Sequence, residues 1–260
     1  MTLKVPAPFR IQHLHETDST NRVAMDAARA GAAGGLVVVA DRQHAGKGRQ
    51  GRTWTDDGER SLLVSFLLRP AVPLRLAWGF TFVAGLAALH AAEVGGAHDA
   101  WLKWPNDLWV SDRKAGGVLC ELASSKGRLD GVVLGIGLNL LPPVGGWPEE
   151  IEGRAAALGS DAPSLVSRAH ALSLVCEGLL HWEDQLARFG VRPLIRAVEH
   201  AMRPMVGRTV QAEIRGALTP ATVLGIGQNG ALRLVTTDGR SLELLAGDVH
   251  LRPAQSTQGS

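Results

Sequence analysis

Cysteine is scarce in this chain: Cys120 and Cys176 are its only two, and both sit among apolar neighbours. That pattern argues against a disulfide framework or a catalytic thiol, and buried, inert thiols are expected. Net charge is nearly absent: 27 Lys and Arg face 25 Asp and Glu, leaving +2. No bulk electrostatic footprint for nucleic acid exists, so any basic site must be local. No run of 18 uncharged apolar residues appears, and Met1-Thr-Leu-Lys-Val-Pro lacks the apolar core of a signal peptide. A cytoplasmic protein with no membrane partner is the default expectation. Ser-His-Asp order, Cys-His pairing and zinc spacing are also missing. His13 and His15 share one face of a strand-like run, but no third metal ligand accompanies them.

What is present is a globular composition, 45% apolar and 20% charged over 260 residues. That length allows one large domain and one small one. Ile11–His15 alternates as a strand. Ser19 or Thr20 then caps a helix with Val23, Met25, Ala27, Ala28 and Ala30 at helical spacing. A β-branched strand, Leu36–Ala40, leads into a Gly-rich loop, and Ser61–Leu68 forms the next strand. Leu74–Val94 reads as a long apolar helix. Two alternating runs flanking Pro105-Asn106-Asp107 predict a hairpin with Lys103 and Asp107 near its tip. Strands follow at Lys114–Leu122 and Leu129–Leu141, the second with interior glycines that signal close approach of a ligand or another backbone. Asp161-Ala162-Pro163 is expected to cap a helix running to about Phe189, followed by a shorter one over 192–202. From Met205 the pattern changes to five short strands with turns at Asn229-Gly230 and Asp238-Gly239, which suggests a small barrel. The expected fold is α+β, with domains at 1–203 and 204–253 and a disordered tail at 254–260.

The chemistry concentrates at Gln43-His44-Ala45-Gly46-Lys47-Gly48-Arg49-Gln50-Gly51-Arg52. Alternating glycines and cations make a cradle of backbone N–H groups and positive charge suited to phosphate. Gly46-x-Gly48-x-x-Gly51 also matches the dinucleotide-binding fingerprint, but that motif must open a helix, and here a turn and a strand follow. Lys47 precedes Gly48 rather than Ser or Thr, so the loop is not a Walker loop. With the Lys103–Asp107 hairpin and Lys114 beside Gly116-Gly117, the inventory suits phosphoryl or nucleotidyl transfer. Such enzymes position charged groups and supply little covalent chemistry.

Five blocks occur together: Ser19-Thr20-Asn21, Gln43-x-Ala45-Gly46-x-Gly48-Arg49-x-Gly51-Arg52, Lys103-Trp104-Pro105-Asn106-Asp107, Lys114-x-Gly116-Gly117 and Gly135-Ile136-Gly137-x-Asn139. In their types and order they resemble the biotin protein ligases. The resemblance covers roughly residues 15–140, and the C-terminal strands are similar to that family's SH3-like domain. It implies a mixed-sheet catalytic domain with flanking helices. It also implies ATP-dependent activation of biotin to biotinyl-5′-adenylate, then transfer to a lysine of a biotin carboxyl carrier protein, with Mg2+ accompanying ATP. Carried onto this sequence, Ser19, Thr20, Asn21 and Gln43 would hold the biotin ring, and Gly116 and Gly117 would lie along it. Arg49 and Lys114 would meet the carboxylate and α-phosphate, with Gly46, Lys47, Gly48 and Lys103 nearby. Trp54 would shelter the adenylate, Asn139 would face adenine, and Asp107 would place magnesium or the incoming lysine.

Each assignment has a plainer counterpart: Ser19 as a helix cap, Asp107 as a turn residue, Trp104 as packing, Arg52 as a partner of Asp56 or Asp57. Lys47 stands where the family commonly has Arg and loses the bidentate fork. His44 replaces a small polar residue with no evident reason. Only about 14 residues precede the first block, too few for the N-terminal DNA-binding domain that some members carry, so no nucleic acid partner is expected. A homodimer is compatible with the family. Alternative readings are a lipoate–protein ligase or an NAD-linked oxidoreductase resting on the glycine fingerprint alone. A non-enzymatic adaptor would leave the cationic loop unexplained.

Overall fold

The computed structural model describes residues 3–54, 58–125, 128–160, 162–214, 216–245 and 249–251. Asp56, Asp57, Asp161 and the 254–260 tail lie outside the described residues. The chain separates into two compact units, Met1–Leu194 and Ile195–Ser260.

The first unit is built on a seven-stranded mixed sheet. In chain order its elements begin with β1 (Arg10–Thr17), α1 (Thr20–Arg29), β2 (Leu36–Gln43) and two-residue strands β3 (Gly46–Lys47) and β4 (Thr53–Trp54). Then come β5 (Ser61–Leu68), α2 (Gly79–Gly95), β6 (Ala100–Lys103), β7 (Asp107–Val110), β8 (Arg113–Ser125), β9 (Arg128–Asn139) and α3 (Arg168–Phe189); α4 (Arg192–Ala201) spans the boundary between the two units. The large sheet runs β1-β2-β5-β9-β8-β7-β6. Only β1 and β2 pair in parallel, because α1 carries the chain back between them.

Strand β5 is buried at every position, so both of its faces are covered. On one face, Ala24, Met25 and Ala28 of α1 pack with Val38, Leu67 and Val133. On the other face lies α2, whose Thr81 hydroxyl bonds the Cys120 sulfur of β8. Residues of α2 are buried around most of its circumference, as expected of a helix covered by a sheet on one side and a second helix on the other. That second helix is α3: a Cβ at Gly178 would stand 2.9 Å from the Ala87 backbone, so only glycine permits the approach.

Two boundaries differ from the sequence expectation. Leu74–Leu76 is a 3-10 turn, and α2 starts at Gly79. Pro163–Val166 is also a 3-10 turn; α3 starts at Arg168, and its cap is Ser167, whose hydroxyl accepts from the His170 N–H at 3.4 Å. Proline at the first position of a short turn fits its fixed φ, whereas a serine hydroxyl satisfies a free helical N–H.

The second unit contains the five-stranded antiparallel sheet β13-β12-β11-β10-β14, from β10 (Thr209–Ile214), β11 (Ala217–Ile226), β12 (Leu232–Thr236), β13 (Ser241–Leu244) and β14 (Val249–Leu251). Val210, Ala212, Ala221, Val223, Leu232, Leu234 and Val249 form its core. Gly230 and Gly239 turn the two expected hairpins at φ 80° and 83°.

Candidate active site

Period-2 alternation places Gly135, Gly137 and Asn139 on one face of β9, the face covered by α1. Cross-strand register extends each position into a row. One row reads Lys103, Asp107, Gly117, Gly137 and Leu63 across β6, β7, β8, β9 and β5. The next reads Leu119, Gly135, Ser65 and Val38. The glycines are where the sheet surface drops, and each hollow is filled by one of the expected site residues.

Over Gly135 sits Asn21, whose Oδ1 would be 2.1 Å from a Cβ there. Ser19, Thr20 and Asn21 are all buried, although they open a helix. Ser19 occupies the cap position of α1, but its side chain makes no capping bond, so the cap reading does not account for it. Thr20 donates its backbone N–H to Gln43 Oε1 at 2.7 Å and places its hydroxyl 3.1 Å from the same oxygen. Ser65 Oγ lies 2.8 Å from Thr20 Oγ1 and 2.6 Å from Asn21 Oδ1. Asn21 Nδ2 donates to Glu121 Oε2 at 2.8 Å.

Over Gly137 lies the Trp54 indole. An added Cβ at Gly137 would fall 2.8 Å from two indole carbons, and one at Gly117 would fall 3.4 Å from a third and from Lys114. Gly46 pairs with Trp54 in the β3–β4 ribbon, and a Cβ there would be 2.6 Å from the Trp54 carbonyl. Glycine at 46 therefore lets the loop fold down so that Trp54 reaches the sheet. The Lys114 ammonium stands 5.7 Å from the indole centroid. The indole N–H is buried with no acceptor among the described residues. Gly116 is different: its Cβ would meet Leu138 at 2.7 Å and the Gly137 carbonyl at 2.9 Å. It is required by strand packing on the α2 side, not by the hollow that Gly117 lines.

Beyond Trp54 the charges gather. Asp107 accepts from Lys114 Nζ at 2.7 Å and faces Lys103 Nζ at 3.8 Å. Arg49 donates to Asn106 Oδ1 at 3.3 Å, and Asn106 is itself fixed by donating to the Val118 carbonyl at 2.9 Å. Gln50 adopts a left-handed conformation (φ 55°, ψ 34°) in the 3-10 turn Arg49–Gly51, which folds the loop tightly after Arg49. A non-glycine residue held there costs about 1–2 kcal/mol, a mark of a constrained site. Burial lowers the affinity of Arg49 for its proton; Asp107 opposes this and Arg52 adds to it. Burial also lowers that of Lys103, with Asp107 opposing and Lys114, Arg52 and Arg49 reinforcing. Among the described residues four cations thus act on one another around the Asp107 carboxylate, an arrangement that favours a further anion.

At the end of the track Asn139 donates to the Ala156 carbonyl at 3.1 Å. The segment that supplies this carbonyl also clasps Lys114: the Lys114 N–H donates to the Arg154 carbonyl, and the Ala156 N–H to the Lys114 carbonyl, each at 2.8 Å.

The structure brings Ser19, Thr20, Asn21, Gln43, Gly46, Trp54, Lys103, Asp107, Lys114, Gly117, Gly137 and Asn139 onto one sheet face, with Arg49 reaching it through Asn106. Lys47 is exposed on the two-residue strand β3, and Gly48 holds the loop closed by donating to the Arg52 carbonyl at 2.7 Å. His44 pairs with Glu16 at 3.1 Å, outside this face. His13 and His15 both bond Asp41, which also receives Arg168 at 2.7 Å. Among the described residues no cluster of three or more His, Cys, Asp or Glu could hold a metal. Burial pushes the thiols of Cys120 and Cys176 each up to about 12, in line with inert cysteines. Ser65 was legible as a hydroxyl inside an apolar strand and Asn106 as part of the Lys103–Asp107 block, but Glu121 and the 154–156 segment carry no signal of their own in the sequence.

Comparison with known proteins agrees with this face. Residues 14–139 match the Biotin/lipoate A/B protein ligase family. The chain is 32% identical over 236 residues to the biotin–[acetyl-CoA-carboxylase] ligase of Paracoccus denitrificans, covering 88% of this chain and 95% of the relative. It is 33% identical over 258 residues to the enzyme of the same name from Mycobacterium tuberculosis, covering 91% and 87%. The fold is similar to that of a biotin protein ligase from Aquifex aeolicus solved in complex with biotin and ATP, with TM-score 0.77, 28% identity and coverage of 94% and 99%. By its sequence, its sheet and the groups that line it, this chain belongs to the biotin protein ligases of the Biotin/lipoate A/B protein ligase family.

Proposed function

We propose that the track along β9 is where this chain joins biotin to AMP and then hands biotin to a lysine of a biotin carboxyl carrier protein. The observation that carries this reading is the row Lys103, Asp107, Gly117, Gly137 with Lys114 and Arg49 beside it. Cations at the centre and a buried hydrogen-bonding patch at Thr20–Asn21 suit a ligand with an anionic middle and a neutral polar end.

In the first step an oxygen of the biotin carboxylate attacks the α-phosphorus of ATP, and the bond to the bridging oxygen breaks to release pyrophosphate. Two anions must approach, and Arg49 and Lys114 lower the barrier by holding positive charge where negative charge accumulates. Asp107 orients Lys114 and Lys103 by its two ion pairs. Trp54 covers the mixed anhydride and keeps water from it. In the second step the carrier lysine, as the free amine, attacks the acyl carbon and AMP leaves. Asn139, at the far end of the track, faces the adenine.

Mg2+ enters with ATP. Asp107 is engaged by two lysines, so the described residues fit an ion carried on the triphosphate rather than one held in a protein cage. No step here requires a protein-held metal.

The C-terminal sheet is proposed to close as an SH3-like barrel, with the catalytic domain at 1–203 and the small domain at 204–253. Work in the cytoplasm, a homodimer and no nucleic acid partner complete the reading. Among the described residues no helix is long and apolar enough to cross a membrane. A dinucleotide-binding role has no support, because the Gly46–Gly51 stretch enters a 3-10 turn and not an α-helix.

The test is to supply ATP and Mg2+ with either biotin or lipoate, then follow pyrophosphate release and labelling of an acceptor domain. Release and labelling with biotin alone are expected. Turnover with lipoate in preference to biotin would overturn the assignment.

A further inference from the structure

We infer that Glu121, a β8 residue outside all five sequence blocks, is a positioning residue that sets the donor–acceptor polarity of the biotin-ring pocket. This rests on the placement of the ring at Thr20–Asn21. A carboxylate accepts hydrogen bonds and does not donate them. Glu121 Oε2 lies 2.8 Å from the Asn21 amide, so the edge of Asn21 that faces it must be the NH2. The opposite edge, Oδ1, then faces Ser65 Oγ at 2.6 Å, and Ser65 must donate to it. With its one proton committed, Ser65 can only accept at the 2.8 Å contact with Thr20 Oγ1, so the single Thr20 hydroxyl proton is shared between Ser65 and Gln43 Oε1 3.1 Å away. The other end of the chain is fixed as well. The Thr20 backbone N–H can only donate, which makes the Gln43 atom 2.7 Å away its carbonyl oxygen.

Five groups thus have one direction of hydrogen bonding, set by a carboxylate at one end and a backbone N–H at the other. Gly135 keeps the amide of Asn21 pressed to the sheet, since any Cβ there would collide with it at 2.1 Å. The ligand class such a patch discriminates is a cyclic urea, with two N–H donors flanking one carbonyl. A ring that lacks these groups gains nothing from the fixed direction, and a pocket of the wrong polarity leaves buried groups of the urea unpaired. Without the carboxylate, only the longer 3.4 Å bond to the Leu119 carbonyl holds the Asn21 amide, and once it turns over Ser65 becomes an acceptor toward it, reversing the direction at these two groups while the Thr20 N–H end stays fixed.

The test is Glu121→Gln, which keeps size and hydrogen bonding but can present either an oxygen or an NH2 to Asn21. Steady-state pyrophosphate release is measured against biotin and against ATP, with acceptor labelling from preformed biotinyl-adenylate and thermal unfolding alongside. The KM for biotin should rise about tenfold or more, as one mispaired buried group implies, while the KM for ATP stays put. Glu121→Asp, which keeps the carboxylate, should recover most of the loss. An unchanged biotin KM in Glu121→Gln, or Glu121→Asp as impaired as Glu121→Gln, would overturn the proposal. Asn21→Ala separates the two levels: if it leaves the biotin KM unchanged, the ring placement itself fails. If it raises KM while Glu121→Gln does not, only the role of Glu121 fails.

Discussion

Replacing Asp107 by Asn removes, among the described residues, the carboxylate that Arg49, Lys103 and Lys114 share, while keeping its shape. In the native protein it meets Lys114 at 2.7 Å and Lys103 at 3.8 Å, and its side chain is 15% exposed. At an effective permittivity of about 20 these separations correspond to gross attractions of roughly 6 and 4 kcal/mol. Desolvation of the three groups offsets most of that. The net loss from stripping one partner out of a largely buried pair is about 3 kcal/mol, because the remaining charges stay buried without compensation. For a unit of this size that lowers Tm by roughly 6–12 °C.

The loss should depend on pH in one direction. Burial already lowers the proton affinity of Lys103, and Asp107 is the strongest influence opposing it, so the variant lowers it further. Between that depressed value and the ordinary lysine range, the unfolded chain binds more protons than the folded one, and stability rises with pH. The gap between variant and parent should therefore be full below the lowered Lys103 titration of the variant and narrow as pH climbs through it. Biotinyl-adenylate, an anion, should raise the Tm of the variant more than that of the parent. The assay is thermal unfolding at pH 7 and at pH 9–10, with and without adenylate. A variant Tm within 2 °C of the parent, or a gap that widens with pH, would refute the reasoning.

Arg49→Ala should release biotinyl-adenylate into solution or bind it roughly a hundredfold more weakly, as expected for loss of a cation aimed at the transferred phosphate; unchanged adenylate affinity by titration removes Arg49 from the site. Gly137→Ala should lift Trp54 by the 2.8 Å clash and expose the anhydride, so the hydrolysis rate of enzyme-bound adenylate should increase with little change in Tm. Asp41 is subject to burial, which raises its pKa, but hydrogen bonds from His13 and Arg168 outweigh that and hold it at about 2, below its ordinary 3.8. Its contribution to stability is present above pH 4 and is lost as pH falls toward 2, so Asp41→Asn should flatten the acid limb of an unfolding curve; an unaltered limb tells against the pairing.

Much of this was legible because local patterns determined it. Gly135-x-Gly137-x-Asn139 announces a strand with a hollowed face, and period-2 alternation alone puts all three on the same side. The fingerprint in Gly46–Gly51 could be set aside from its surroundings, and the 3-10 turn there agrees. What could not be read were features that depend on register between distant strands. Nothing near Glu121 in sequence says that it will face Asn21 across the 100 residues that separate them. Ser19 and Thr20 look like a helix cap by residue type, and only their burial and the absence of a capping bond from Ser19 say otherwise. The cap of α3 was misplaced because Asp161 and Ser167 are equally good candidates by residue type, and the intervening Pro163 favours a short turn. Gly117 and Gly116 read alike in sequence, yet they face opposite sides of β8.

The clasp formed by residues 154–156 reaches past the limits of the motif blocks. Every residue assigned to chemistry lies between Ser19 and Asn139, but the main chain of Lys114 and the side-chain amide of Asn139 are both tied to that later segment. A polypeptide cut after Leu141 would retain each reactive side chain and still lose three hydrogen bonds that fix two of them. The minimal catalytic fragment of this chain is therefore longer than its minimal signature, and substitutions that break the 154–156 clasp should lower activity while every recognised motif is intact.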